Sequence, residues 1–261
     1  MDALVTGVSA AGGFVLGDGL EVLVERLGEH RPLDRPWWRC PSCAAPARGL
    51  GLVPVARVVA RRRGCPACGL REPFALRPAL LAVVSALVLG AFGAHFGADV
   101  VLAAYAVFGL SMVAISAVDL ERYIIPNFIV YPTLALMVPL LVVASAVDSR
   151  WGSLGRAAAC GAIAFVGFYV LHVIVPKGMG FGDVRLAGVI GLAVGWLGYG
   201  HAFVGFFAGF VLGAVIGIVF IVATGGGRKT RIPFGPFLAA GAVASIVWGT
   251  PVAHALFHRG T

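Results

Sequence analysis

Two aspartates and two pairs of cysteines are the residues of this chain whose placement could do chemistry. Asp119 closes an apolar run in Ala117-Val118-Asp119-Leu120-Glu121-Arg122, and Asp183 opens another, after Gly178, Gly180 and Gly182 and just before Arg185. A carboxylate flush with a membrane span is costly, about 2.5–3.5 kcal/mol at the centre of a helix, and is a functional hypothesis by default. Two carboxyls brought together cannot both ionise cheaply, so they share a proton and one acts as acid while the other acts as base. Such a pair can activate a water and protonate a leaving amide. It can also relay protons through a transporter. Structural roles remain open beside these. Asp119 has Arg122 three residues on and could form an interfacial ion pair, and Asp183 could cap its helix.

The cysteines read Cys40-Pro-Ser-Cys43 and Cys65-Pro-Ala-Cys68, with twenty-one residues between the pairs. Each C-x2-C turns two sulfurs toward one point, and two such knuckles offer four thiolates to a tetrahedral zinc. Four sulfurs leave no position for water, so the metal would be structural. Disulfides or free thiols are the alternative, and a cytoplasmic location argues against disulfides. Cys160, alone in an apolar run, reads as a packing residue.

The elements that must position these residues are membrane helices. Of 261 residues, 59% are hydrophobic and 12% are charged, and mean hydropathy is +0.94. Water-soluble, disordered and collagenous classes are excluded by these values. Apolar runs at about 3–24, 78–97, 100–118, 127–147, 156–175, 184–198, 201–223 and 235–257 predict an all-α polytopic protein of eight spans. Three regions follow: a first helix over 1–27, a four-cysteine insert over 28–77, and a seven-helix membrane core over 78–261. The insert carries six prolines between Pro32 and Pro66 and is too small for a core of its own, which is why it needs a staple.

The net charge is +8, and eleven arginines fall between Arg26 and Arg77. Alternating the eight spans places seventeen of the twenty basic residues on one side, which the positive-inside rule makes the cytoplasmic side. The N-terminus is then outside, and both aspartates and the insert are at the cytoplasmic face. The first run reads as a retained helix, because basic residues follow it and none precedes it. The basic block predicts contact with anionic lipid and not with nucleic acid. Trp37, Trp38 and Trp196 fit an interfacial aromatic belt, and the short run at 184–198 suggests an oblique or protein-covered helix.

Several segments together resemble the type IV prepilin peptidases. Gly178-Met179-Gly180-Phe181-Gly182-Asp183 resembles their GxGD motif. Asp119 with Ile125-Pro126-Asn127 is similar to the first catalytic motif, and Ile232-Pro233-Phe234-Gly235-Pro236-Phe237-Leu238-Ala239 to a cytoplasmic segment of the family. The paired C-x2-C region after the first span matches the family's zinc-bearing insert. The resemblance implies an integral-membrane aspartic protease of the cytoplasmic membrane, with Asp119 and Asp183 as its catalytic dyad. Its substrates would be prepilins or pseudopilins, whose short basic leader it removes. Many members then methylate the new N-terminus using S-adenosylmethionine. The chain departs from the family at Arg185, where a Lys is usual, at Asp18 and Glu21 in the first helix, and across Gly49–Pro54 and Arg77–Leu81. None of these departures touches the dyad; they fall around the region associated with methyl transfer.

A basic leader needs acidic contacts, and Glu21, Glu25 and Glu121 are the candidates. For Glu21 and Glu25, a solvated helix end is the plainer reading. Two other classes stay in view: a proton-coupled transporter using the paired acids, and a zinc-sensing scaffold in which neither aspartate matters.

Overall fold

The computed structural model describes residues 2–28, 67–68, 76–175, 179–224 and 233–257, with the side chains of 18, 21–28, 76, 224 and 250–257 outside the description. Eight helices and no strand occur among the described residues. They are α1 (Asp2–Gly28), α2 (Leu76–Phe96), α3 (Leu102–Arg122), α4 (Asn127–Asp148), α5 (Trp151–Ile174), α6 (Phe181–Leu197), α7 (Tyr199–Thr224) and α8 (Gly235–Phe257). Each coincides with one of the eight apolar runs. Five of them (α2, α3, α4, α5 and α7) are long and apolar enough to cross a membrane on length and composition. The protein is an all-α, multi-pass membrane protein. Most of the four-cysteine insert, including Cys40, Cys43 and Cys65, lies outside the described residues, as do Gly178 and the basic residues Lys177, Arg228, Lys229 and Arg231.

Apolar surface gains nothing by leaving lipid for a helix interface, so close packing of small residues must hold the bundle together. Three antiparallel pairs do this most extensively: α1 with α2, α5 with α6, and α7 with α8. In the last pair Gly241 lies against the backbone of Gly205 and Gly209. α3 runs through the middle and touches α1, α2, α4 and α8. Its Tyr105 is fully buried and donates from its hydroxyl to the Ala193 carbonyl of α6 at 2.8 Å. The Tyr105 ring stacks on Phe96 at 4.3 Å.

α6 is the most enclosed element, with eleven of its seventeen residues buried. That accounts for its brevity: protein, not lipid, surrounds it. Trp196 is 3% exposed, so it belongs to the core and not to the interfacial belt the sequence suggested. An indole near a helix end reads identically in both settings, and only the packing of α5 against α6 separates them. α7 is the opposite case, with Phe203, Phe207 and Val215 on its outer surface.

The ends of the bundle are distinguishable. At one end, Arg150 pairs with Asp99 at 2.8 Å, and the α2–α3 link at Gly97 lies beside Asp2. At the other end, Arg77 at the start of α2 pairs with Glu121 at the end of α3 at 2.8 Å. Asp119 and Asp183 belong to this second end.

Candidate active site

α3 delivers Asp119 one turn before it stops. The helix ends on Tyr123, which adopts a left-handed conformation (φ 57°) and donates its N–H to the Asp119 carbonyl at 2.9 Å. A non-glycine residue in this region is uncommon, and the turn it makes is abrupt. Ile124, Ile125 and Pro126 then lead into α4, with Pro126 extended as its N-cap (ψ 129°).

Asp119 is 4% exposed. Its Oδ2 accepts a hydrogen bond at 2.9 Å from the backbone N–H of Gly235, at the start of α8. Among the described residues no ion pair joins it to Arg122, so the interfacial-pair reading does not hold. A buried carboxylate needs hydrogen-bond donors to offset lost hydration, and here an amide supplies one.

Asp183 stands in the first turn of α6. Gly180 precedes the helix in an extended conformation, and its N–H donates to Asp183 Oδ2 at 3.1 Å. The aspartate therefore does serve its helix terminus, as one sequence reading allowed. Its position also places it within electrostatic reach of Asp119. The carboxyl thus caps its own helix terminus while standing near a second carboxyl.

The approach of these segments depends on missing side chains. A Cβ on Gly182 would lie 2.8 Å from the Cβ of Ile125, and one on Gly235 would lie 2.7 Å from Asp119 Oδ2. Ile125 thus sits between the α6 and α8 termini. Arg185, one turn into α6 with its guanidinium 4.5 Å from the centre of the Phe181 ring, hydrogen-bonds through Nη1 to Asn127 Oδ1 of α4. His172, near the end of α5, makes a 2.8 Å hydrogen bond between Nδ1 and the Met179 carbonyl. Side chains from α4 and α5 therefore secure the glycine-rich turn from two directions.

The other expected residues distribute as follows. Gly180, Gly182 and Arg185 are at the site. Glu121 is near it but is engaged by Arg77, and its side chain is half-exposed. Glu21 and Glu25 belong to α1, with side chains outside the described residues. Of the four cysteines, Cys68 is described, exposed and in a turn with Ala67. No group of three or more metal-ligating side chains occurs among the described residues. Cys160 is buried against Gly191 and Gly195 of α6, as a packing residue would be. In the sequence Ile125 and Gly235 carry no role beyond their place in the family segments. Their partners are 57 and 116 residues away in the chain, too far for local spacing to suggest.

Comparison with known proteins identifies the family. The sequence profile of the type IV leader peptidase family matches residues 106–218, a stretch containing both aspartates. A prepilin leader peptidase/N-methyltransferase of Burkholderia pseudomallei is 36% identical over 229 residues, covering 81% of this chain and 67% of the relative. Proteins of the same name from Stutzerimonas stutzeri and Bacillus subtilis are 29% and 28% identical. The first covers 89% of this chain and 79% of its own length, and the second 92% and 93%. No solved structure gives a significant match. Similarity along most of the chain, with both aspartates inside the family segment, shows that this membrane protein is a peptidase belonging to the type IV leader peptidase family.

Proposed function

We propose that the chain is an aspartic endopeptidase that removes the basic leader from type IV prepilins or pseudopilins at the cytoplasmic face of the inner membrane. The observation that carries this reading is the arrival of Asp119 and Asp183 from two separate helix ends, at one end of the bundle and within reach of each other's charge. The names of the relatives supply the substrate class.

A water is the nucleophile. One aspartate, ionised, takes a proton from the water as its oxygen bonds to the scissile carbonyl carbon. The other, protonated, gives its proton to the amide nitrogen as the C–N bond breaks. The proton count is restored when the pair shares a single proton again. The substrate's apolar helix binds within the bilayer, and the acidic residues Glu21, Glu25 and Glu121 draw in its basic leader.

The Asp119 end faces the cytoplasm. Supporting this orientation is the same alternation of helix ends that puts seventeen of the twenty basic residues there, facing anionic lipid. The insert over 28–77 is a separate zinc-stapled unit. Cys40, Cys43, Cys65 and Cys68 would hold the ion as four thiolates, a donor set suited to tetrahedral zinc, and the turn at Ala67–Cys68 is compatible with a knuckle. Zinc there supplies folding energy to the insert and no catalysis. Methyl transfer from S-adenosylmethionine to the new N-terminus is a second reaction. The relatives' names favour it, and the departures at Asp18, Glu21, 49–54 and 77–81 oppose it.

One experiment tests both reactions. Purified protein is incubated in lipid with a prepilin, with and without S-adenosylmethionine, and product mass is measured. Loss of the leader supports the peptidase reading, and a further gain of one methyl decides the second. An unchanged prepilin mass with folded protein would refute the proposal.

A further inference from the structure

Gly235 makes a contact that the reaction scheme above does not use. We propose that it is a positioning residue for the dyad: the start of α8 is a third arm of the site, holding one oxygen of Asp119 so that the other faces the water. The inference rests on the peptidase reading and adds a residue outside both aspartate segments.

Three observations support it. The Gly235 N–H donates to Asp119 Oδ2 at 2.9 Å inside the protein, where both residues are buried. A hydrogen bond to a charged acceptor in such surroundings is stronger than a neutral one, and it fixes direction as well as distance. Next, the segment bearing this amide is anchored on both sides. The Phe234 ring packs on Phe210 of α7 at 5.3 Å, and the Phe234 carbonyl accepts the N–H groups of Phe237 and Leu238, both at 3.2 Å. Leu238 is itself in the core. Pro236 narrows the backbone choices of the residue before it. The amide is therefore held in place by α7 and α8 independently of α3.

Finally, no larger residue fits. A Cβ at this position would lie 2.7 Å from Asp119 Oδ2 and 3.5 Å from Ile125 Cδ1. Ile125 in turn is against Gly182, the neighbour of Asp183. Asp119, Ile125, the α6 turn and Gly235 form an interlocked set, in which displacement of the α8 terminus alters the spacing of the two carboxyls. A carboxyl restrained at one oxygen and free at the other is what a general base or acid needs in order to meet a water in one geometry.

The test uses the full-length protein in lipid and steady-state cleavage of a prepilin. Gly235→Ala is expected to lower kcat by about 100-fold, the scale of an ångström-sized misplacement. KM should stay within about threefold of wild type, because substrate binding is not what the amide serves. Pro236→Ala adds no bulk and frees the Gly235 backbone; it should lower kcat by about two- to fivefold at constant KM. It decides the matter if Gly235→Ala fails to fold. Wild-type kcat in a folded Gly235→Ala protein, a loss confined to KM, or wild-type kcat in Pro236→Ala would overturn the proposal. Asp119→Asn is measured alongside. If that variant is active, the dyad reading itself has failed. If it is inactive while Gly235→Ala is normal, only the role of Gly235 has failed.

Discussion

Asp119→Asn separates the chemical role of this carboxyl from its structural one. Asparagine keeps the size and still offers one carbonyl oxygen, so the Gly235 N–H can retain an acceptor where Oδ2 now stands, at 2.9 Å. A hydrogen bond to a charged group contributes about 1.5–3 kcal/mol and a neutral one about 0.5–1.5. Against that loss, an uncharged amide is easier to bury at a site only 4% exposed. The two effects oppose each other, and thermal stability in detergent should change by about 1 kcal/mol or less. Catalysis has no such compensation. Asparagine neither takes a proton from water nor gives one to nitrogen, and positioned acid–base groups contribute about 10²–10⁴-fold. A loss of about 10³-fold or more is therefore expected, equivalent to roughly 4 kcal/mol of transition-state stabilisation. Asp183→Asn should behave alike, and the double variant should be no more than about threefold worse than either, because the pair acts as a unit. In the wild type the rate should fall on both sides of an optimum pH, as the pair gains or loses its shared proton. Cleavage is followed by the gel shift and mass of a prepilin in lipid, with binding measured separately and expected to persist. A folded Asp119→Asn enzyme retaining more than about a tenth of wild-type kcat would refute the argument.

Other consequences can be checked with the same preparation. Arg185→Gln, which removes the charge stacked on Phe181 and the bond to Asn127, should lower kcat by about three- to tenfold, whereas Arg185→Lys, lacking the planar fork, should fall between the two; equal rates in all three would show that the α4–α6 tie is dispensable. Glu121→Gln should cleave at half the wild-type rate or better and melt at nearly the same temperature, since its half-exposed pairing with Arg77 contributes at most about 1 kcal/mol and is screened by salt; a large kcat loss would move Glu121 into the catalytic group. Neutralising Glu21 and Glu25 together should raise KM more than it lowers kcat, with the effect weakened by salt; unchanged kinetics would remove α1 from leader recognition. Metal analysis should find one zinc per chain, lost in Cys40→Ser/Cys65→Ser while the helical core stays folded, and zinc-free wild-type protein would refute the four-thiolate assignment.

The helices were legible because hydropathy at this length scale is a strong signal: each apolar run becomes one helix. What the runs could not convey was depth of burial. The stretch at 184–198 and the one at 201–223 are both simply apolar, yet α6 is enclosed by protein while α7 carries a largely exposed surface. Trp196 was misplaced for that reason. Asp119 and Asp183 stood out because charges are rare in such segments, and their flanking glycines and Ile-Pro-Asn added the family pattern. The contacts that arrange them were not legible. Gly235 to Asp119, Ile125 to Gly182 and Arg185 to Asn127 join helix ends through tertiary packing, and no local spacing encodes which ends will meet.

The shortness of α6 fixes the rotational register of its first turn. Seventeen residues at 1.5 Å each extend about 26 Å. Gly198 alone separates its end from α7, so no slack is available at that end. Protein packs around α6 for most of its length, so the neighbouring helices and not the bilayer set its position. With the far end held, one residue added to or removed from α6 would turn Asp183 by about 100° about the helix axis, away from Asp119.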